Sequence, residues 1–337
     1  MRDLIKIDAL SKQPKYQQIL NEVISSIEKG TLNHGQQLPS ISELSSWQNV
    51  AKVTVAKAYE DLRKRGVIQA KHGKGFYVAN TAVKGALNVF LLFDTLNAYK
   101  EILYFALKSR LPDGSQLSLF FHHYDRALFD DLITNNLNNY NYFVIMPHFN
   151  EDVSATLNRI SKDRLVIIDK AAEEVSGNYA AVFQDFENDI YSALKSGLDL
   201  LKKYKKLTLV LAKGQFQFVP DGIIKGFKRF CEDFEMDCQI ADQFSDDMIR
   251  KQEAYLLFAD RDLIDFVKHV HRTGLHLGKD VGLISYDDTP MKEILEGGIT
   301  VISTDFEQMG QTLSKIIDQK LTTKTANPSS LIRRKSL

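Results

Sequence analysis

The 337-residue chain is short of several things, and each shortage narrows what it can be. It has two cysteines, Cys231 and Cys238, too few for a disulfide framework and in keeping with a reducing compartment, where both are expected as thiols. With six residues between them and no histidine nearby, they do not form a zinc motif. It carries no net charge, with 43 basic and 43 acidic residues, which argues against indiscriminate nucleic-acid binding. The opening stretch MRDLIKIDAL lacks the apolar core of a signal peptide, and no run approaches the roughly 20 apolar residues of a membrane span. A cytoplasmic protein is expected.

What is present is unevenly placed. Residues 1–80 hold 12 basic against 7 acidic side chains, and the remainder 31 against 36. A basic head on an acidic body points to one phosphate-binding end.

Within the head, Val55, Ala58, Tyr59 and Leu62 recur at helical spacing, leaving Lys52, Lys57, Arg63, Lys64 and Arg65 outside the apolar stripe. Gly66 is placed to end that helix as a left-handed cap, and Lys71-His72-Gly73-Lys74-Gly75 to turn a basic hairpin. Upstream, Pro14 opens a helix striped by Tyr16, Ile19, Leu20, Val23, Ile24 and Ile27. Ser40 and Glu43 have the spacing of a capping box before a short helix at 41–47. Three helices and a basic hairpin make a winged helix-turn-helix in outline. Gly73-Lys74-Gly75 lacks the spacing and the following helix of a phosphate loop.

The stretch from Pro14 to Val78 resembles the DNA-binding domain of the GntR family, in its Leu38-Pro39-Ser40, its Val50-Ala51-Lys52-Val53-Thr54-Val55 and its wing ending Phe76-Tyr77-Val78. The resemblance implies that the third helix enters the major groove and that the wing reaches the minor groove or its phosphates. Carried over by position, the DNA-binding residues are Ser40, Ser42, Lys52, Val53, Thr54, Lys57, His72, Gly73 and Lys74. Ser42 and Ala56 stand where the family often has arginine, which removes bidentate guanine readers.

After a short polar linker at 80–85 the texture changes to short apolar runs alternating with amphipathic helical stretches, the pattern of parallel sheets covered on both faces. Runs are expected as strands at 87–93, 117–121, 144–146, 165–169, 207–211, 255–258 and 281–285, and a long helix at 185–204. In such sheets ligands bind beyond the carboxyl ends of the strands. The candidates there are Asp94, Asn97, Tyr99, His123, His148, Asp169, Asp185, Phe218, Asp221, Asp260 and Asp287. Carboxylates for adjacent hydroxyls and aromatic faces for C–H surfaces describe a sugar cleft, although Asp185, Asp221 and Asp260 also suit helix N-termini.

Val281-Gly282-Leu283-Ile284-Ser285-Tyr286-Asp287-Asp288-Thr289-Pro290 is similar to a stretch of the LacI/GalR-type regulators, and so are Ile299-Thr300-Val301 with Asp305 and Gly310, and the terminal 329–336. Ile223 and Ala259 stand where those regulators carry ligand-binding Arg and Asn. A GntR head on a LacI-like body resembles the arabinose-utilisation repressor subgroup. The expected fold is a winged helix-turn-helix at 1–79 joined by the linker to a two-lobed periplasmic-binding-protein-like α/β domain at 86–337. The expected function is a homodimeric repressor of a carbohydrate operon, bound to operator DNA and released by a small sugar, without cofactor, metal or catalytic residues. An activator, a phosphosugar-responsive regulator and an enzyme using the α/β cleft are the alternatives. The last follows the larger aminotransferase body that some GntR relatives carry, which would need a Schiff-base lysine in a cofactor site, and none is evident.

Overall fold

The computed structural model describes residues 4–8, 14–81, 87–170, 172, 174–211 and 219–337. Most of the expected linker, its residues 82–85, lies outside them, as does Phe218. Internal contacts divide the chain into two compact units. One is Met1–Leu91 with Leu111–Leu119 and Asp131–Phe143; the other is Leu92–Arg110 with Phe120–Asp130 and Val144–Leu337.

The first unit holds the head. Helix α1 (Lys15–Glu28) follows Pro14, whose fixed φ suits a helix start, and buries Ile19, Leu20, Val23, Ile24 and Ile27. Helix α2 (Ile41–Gln48) begins with a complete capping box between Ser40 and Glu43 and ends on Asn49 in a left-handed conformation. Helix α3 (Lys52–Lys64) buries Val55, Ala58, Tyr59 and Leu62, and Gly66 follows it at φ +70°. Strands β1 (Ile68–Lys71) and β2 (Gly75–Val78) pair antiparallel as a hairpin. Tyr59 fastens the pieces together: its hydroxyl donates to Pro39 O at 2.8 Å and its ring meets Phe76 edge-on.

The rest is two six-stranded sheets. The chain runs β3 (Asn88–Phe93), α4 (Ala98–Lys108), β4 (Gln116–Phe121), α5 (Arg126–Thr134), β5 (Tyr142–Ile145), α6 (Ser154–Leu157), β6 (Leu165–Asp169) and β7 (Ala180–Phe183). It continues as α7 (Phe186–Ser196), α8 (Leu198–Leu201), β8 (Lys206–Val210), α9 (Asp221–Asp233), β9 (Asp237–Ala241), β10 (Glu253–Leu257), α10 (Asp260–Thr273) and β11 (Gly282–Tyr286). It closes with α11 (Pro290–Ile294), β12 (Thr300–Thr304), α12 (Phe306–Gln319), β13 (Lys324–Ala326) and β14 (Ser329–Ile332). The strand orders are β13-β7-β6-β5-β3-β4 and β14-β12-β11-β10-β8-β9. The second sheet is parallel except for β14, which runs antiparallel to β12. The chain therefore crosses between the sheets after β7, after β12 and again between β13 and β14.

Two close approaches explain two glycines. A Cβ on Gly226 would lie 2.2 Å from Glu187 O, so α7 and α9 touch backbone to backbone. On Gly310 it would lie 2.5 Å from Ala106 Cβ, which lets α12 settle on α4.

Two expectations are corrected. The helix foreseen at 185–204 is broken into α7 and α8 at Gly197, whose backbone leaves helical geometry at φ −95° and ψ 9° and whose lack of a side chain admits Leu331 of β14. Cys231 and Cys238 are a disulfide and not thiols, since the tight return from α9 to β9 brings their Cα atoms to 6.1 Å.

Candidate functional site

On the head, the expected DNA contacts are largely exposed on α2, α3 and the hairpin tip. Lys52, Val53 and Lys57 are exposed at the start of α3, with Val53 at 75%, while Thr54 is half-buried. Lys57 Nζ rests 4.2 Å from the centre of the Tyr16 ring, which orients it without neutralising it. Ser42 is exposed on α2, and the Ser40 hydroxyl accepts from Glu43 N at 3.2 Å, so its first duty is the cap. His72, Gly73 and Lys74 form the exposed hairpin tip, with Gly73 at φ +70°. Gln37 and Tyr77 both donate to Lys74 O, at 2.8 and 3.1 Å, and set the tip's position against α2's approach.

In the second unit a cavity of about 320 Å³ opens at the carboxyl ends of the strands. Of the residues expected there, Asp94, Asn97, Tyr99, His148, Asp169, Asp260 and Asp287 line it. His123, Asp185 and Asp221 do not: His123 tilts against Phe121, Asp185 caps α7 by accepting from Asn188 N, and Asp221 opens α9.

The cavity wall is a connected polar network. Asp94, at the end of β3, accepts from the buried Lys100, from Tyr124 Oη at 2.9 Å and from His148 Nδ1 at 2.7 Å. The other ring nitrogen of His148 lies 2.7 Å from Asp169 Oδ2. Gln184 donates to Asp169 and accepts from Thr304 Oγ1, which carries the network from the first sheet's strand ends to β12 at a crossover. Burial alone would raise the Asp94 pKa, but the bond and charge of His148, with Lys100, hold it far below the usual carboxylate range. Burial alone would lower the His148 pKa, but Asp169 and Asp94 together raise it, so the ring is held as a cation. His122, buried beside them and bonded to Met146 O, is pushed down to about 4, mainly by burial, and is neutral.

Residues after the strands of the second sheet line the cavity as well. Phe258 and Tyr286 stack at 4.5 Å, and Tyr99 stacks on Phe306 at 4.3 Å. Lys292, 2% exposed, directs Nζ to Tyr286 O, Asp287 O and Asp260 Oδ1 at 2.8, 2.8 and 2.9 Å. Arg334 grips Asp288 through both carboxylate oxygens, at 2.8 and 2.7 Å, leaving Asp287 as the member of the pair that faces the cavity. Asp169 and Asp287 both sit at positive φ, +71° and +59°. Backbone held in that region by non-glycine residues costs energy and concentrates at binding sites. Ile223 and Ala259 line the cavity too, so the two departures from the LacI-type pattern fall on its wall.

Sequence reasoning missed Lys100, Tyr124, Gln184 and Lys292, while Tyr286, which follows a strand, was among the polar and aromatic residues it pointed to. A lysine in the first turn of a helix reads as a solvated charge, and only the fold turns Lys100 inward to Asp94.

Residues 15–78 match the family model described as bacterial regulatory proteins, gntR family, and residues 203–337 match the periplasmic binding protein-like domain. The chain is 35% identical over 79 residues to the HTH-type transcriptional repressor YtrA of Bacillus subtilis (strain 168), covering 23% of this chain and 61% of that protein. Over 80 residues it is 35% identical to the probable fructoselysine utilization operon transcriptional repressor of Escherichia coli (strain K12), covering 24% and 33%. The chain thus spans less than two thirds of these relatives. A dimeric Lac repressor with a C-terminal deletion superposes with TM-score 0.62 at 16% identity over 74% of this chain and 98% of that one. A LacI family transcriptional regulator from Enterococcus faecium with bound ribose gives 0.59 at 18%, over 74% and 98%. At these identities the structural likeness establishes the fold of the body alone, a LacI-like two-sheet domain, and the GntR-type character of the head rests on the match at residues 15–78.

Proposed function

We propose that this chain, a GntR-type winged helix-turn-helix at 1–79 joined through 80–85 to a LacI-like body at 86–337, is a cytoplasmic transcription repressor whose operator binding is controlled by a small sugar. The carrying observation is the pairing on one chain of an exposed basic α3 and wing with a separate cavity walled by carboxylates and stacked aromatics. The names of the relatives, both repressors, support the sign of regulation.

On this reading α3 presents Lys52, Val53, Thr54 and Lys57 to the major groove, with Ser40 and Ser42 at the phosphates flanking it. His72, Gly73 and Lys74 carry the wing contact. The cavity, near the lower end of small-molecule sites, suits a monosaccharide. Asp94, Asn97, Tyr99, Asp169, Asp260 and Asp287 meet its hydroxyls and ring faces, and His148 fixes the two carboxylates beside it. Among the lining lysines, Lys100 and Lys292 are both engaged by carboxylates, which disfavours a phosphosugar. Ile102 and Phe105, three apart on α4, are large apolar side chains left exposed, as is Leu96. Their burial in a second copy would make the homodimer that two half-sites require.

Ligand and operator then oppose each other through the network that runs from Asp94 to Thr304, and each must weaken the other's binding by the same factor. Fluorescence anisotropy on DNA flanking the chain's own gene, with and without a pentose and hexose panel, tests this. Operator binding that no ligand alters would remove the effector half of the proposal.

A further inference from the structure

The cavity's charges do not close, and the imbalance lies at one residue. Four carboxylates line it: Asp94, Asp169, Asp260 and Asp287. Lys100 and His148 hold Asp94, His148 also holds Asp169, and Lys292 holds Asp260. Among the described residues no cationic side chain bonds the Asp287 carboxylate, and its Oδ1 is buried without a hydrogen-bond partner. The neighbouring Tyr286 lines the same cavity, is 7% exposed, and its hydroxyl is likewise without a partner. Thr289 Oγ1 on the same lining is unpartnered too, and since buried polar atoms in native proteins are nearly always bonded, the carboxylate oxygen between two free hydroxyls marks the place of a missing donor.

The surroundings specify what kind of donor. Asp287 is faced by Lys292 of α11 and Lys100 of α4, which favour its charge, and by Asp169 at the end of β6 and Asp260 at the start of α10, which oppose it. Burial is the largest influence, and the balance pushes its pKa up to about 7. An anionic ligand group would meet unbalanced carboxylates there. A neutral hydroxyl could donate one hydrogen bond and leave the excess charge in place. A protonated amine supplies a donor for the Asp287 carboxylate together with the missing positive charge, and a further N–H for the hydroxyl oxygen beside it.

We infer that the cavity takes an amino sugar, or a sugar derivative bearing a primary or secondary amine, with the ammonium seated on the Asp287 carboxylate and the Tyr286 hydroxyl oxygen. The inference rests on the sugar-effector reading and narrows it. Lys100 and Lys292 keep their structural bonds, and the stacked Phe258 and Tyr286 rings wall the same space.

The test is calorimetric titration of the full chain with glucose, galactose and mannose, their 2-amino-2-deoxy forms and their N-acetylated forms, at pH 6 and pH 7. At pH 7 an amino form should bind about tenfold or more tighter than both its parent and its N-acetyl counterpart, a difference of about 1.4 kcal/mol. From pH 6 to pH 7 the affinity for the amine should rise about fivefold as Asp287 ionises, while neutral sugars stay level. In Asp287→Asn the preference for the amine over the parent should fall to near one, with the melting curve checking that the variant is folded. The wild-type comparison stands even if the variant is not. Parents that bind as tightly as their amino forms, or an amine preference unchanged in Asp287→Asn, overturn the inference and leave the sugar reading intact. Binding of none of the nine probes overturns the inference, and the sugar reading itself then falls only if the pentose and hexose panel also leaves operator binding unaltered.

Discussion

Lys292 Nζ lies 2.9 Å from Asp260 Oδ1, yet the lysine is almost wholly buried while the aspartate side chain is largely exposed. The pair therefore anchors from the inside: Lys292 is fixed by the carbonyls of Tyr286 and Asp287, and Asp260 is held over the cavity from the first turn of α10. It also shows why a lysine on the wall offers nothing to an anion, since its three donors are already used.

Replacing that lysine by methionine keeps the volume and strands two buried carbonyls. Lys292→Met should lower the unfolding free energy by about 2–4 kcal/mol, read by urea denaturation, because each unsatisfied buried acceptor costs about 1–3 kcal/mol. An unchanged midpoint would mean that the carbonyls find water.

His148 and Asp94 set opposite limits on pH. The His148 pKa is raised, so its contribution is complete below the ordinary value of 6.5 and is lost as pH climbs through the raised value. The Asp94 pKa is lowered, so its contribution is present above the ordinary carboxylate range and is lost as pH falls. Urea midpoints of the wild type should fall on both sides of a plateau, and His148→Gln should flatten the alkaline side. A variant that keeps the wild-type alkaline slope would assign that slope to another group.

Close contact between α7 and α9 makes Gly226 irreplaceable by anything with a side chain. Gly226→Ala places a methyl group 2.2 Å from Glu187 O and should cost about 1–3 kcal/mol by overpacking, seen as a lower melting temperature. No change would mean that α9 slides freely.

The wing tip and the start of α3 should separate in their salt behaviour. Lys74→Ala should lower the slope of log affinity against log salt by about one, as for a single lost phosphate contact. Lys52→Ala should weaken operator binding and leave calorimetric sugar binding unaltered. An unchanged slope in Lys74→Ala would remove the wing from the interface.

Much of this was legible in the sequence, and the misses follow a pattern. The head could be read almost to the residue, because cap, stripe, left-handed glycine and wing are local signals that agree with one another. The buried strands β3, β5, β6, β8, β10 and β11 announced themselves as apolar runs. Strand β9 did not, being the edge of its sheet with alternating exposure, and β13 is three half-exposed residues that a long-range crossover returns to the first sheet. At the cavity, placement after a strand found Asp94, His148, Asp169 and Asp287. The partners that make them a network, Lys100, Gln184 and Lys292, lie within fifteen residues of Asp94, Asp169 and Asp287, but they are polar on helix faces or loops, so no periodicity marks them. Which Asp of 287 and 288 faces inward was decided by Arg334, a residue 46 positions away.

The central claim is a sequence-specific DNA-binding head on a dimer. Selection of binding sites by the purified full chain from a random duplex library tests it most directly. The account predicts an enriched palindrome with half-sites about one helical turn apart, depleted when Lys52→Ala replaces the wild type. Enrichment of no motif, with binding that depends on salt alone, would contradict it.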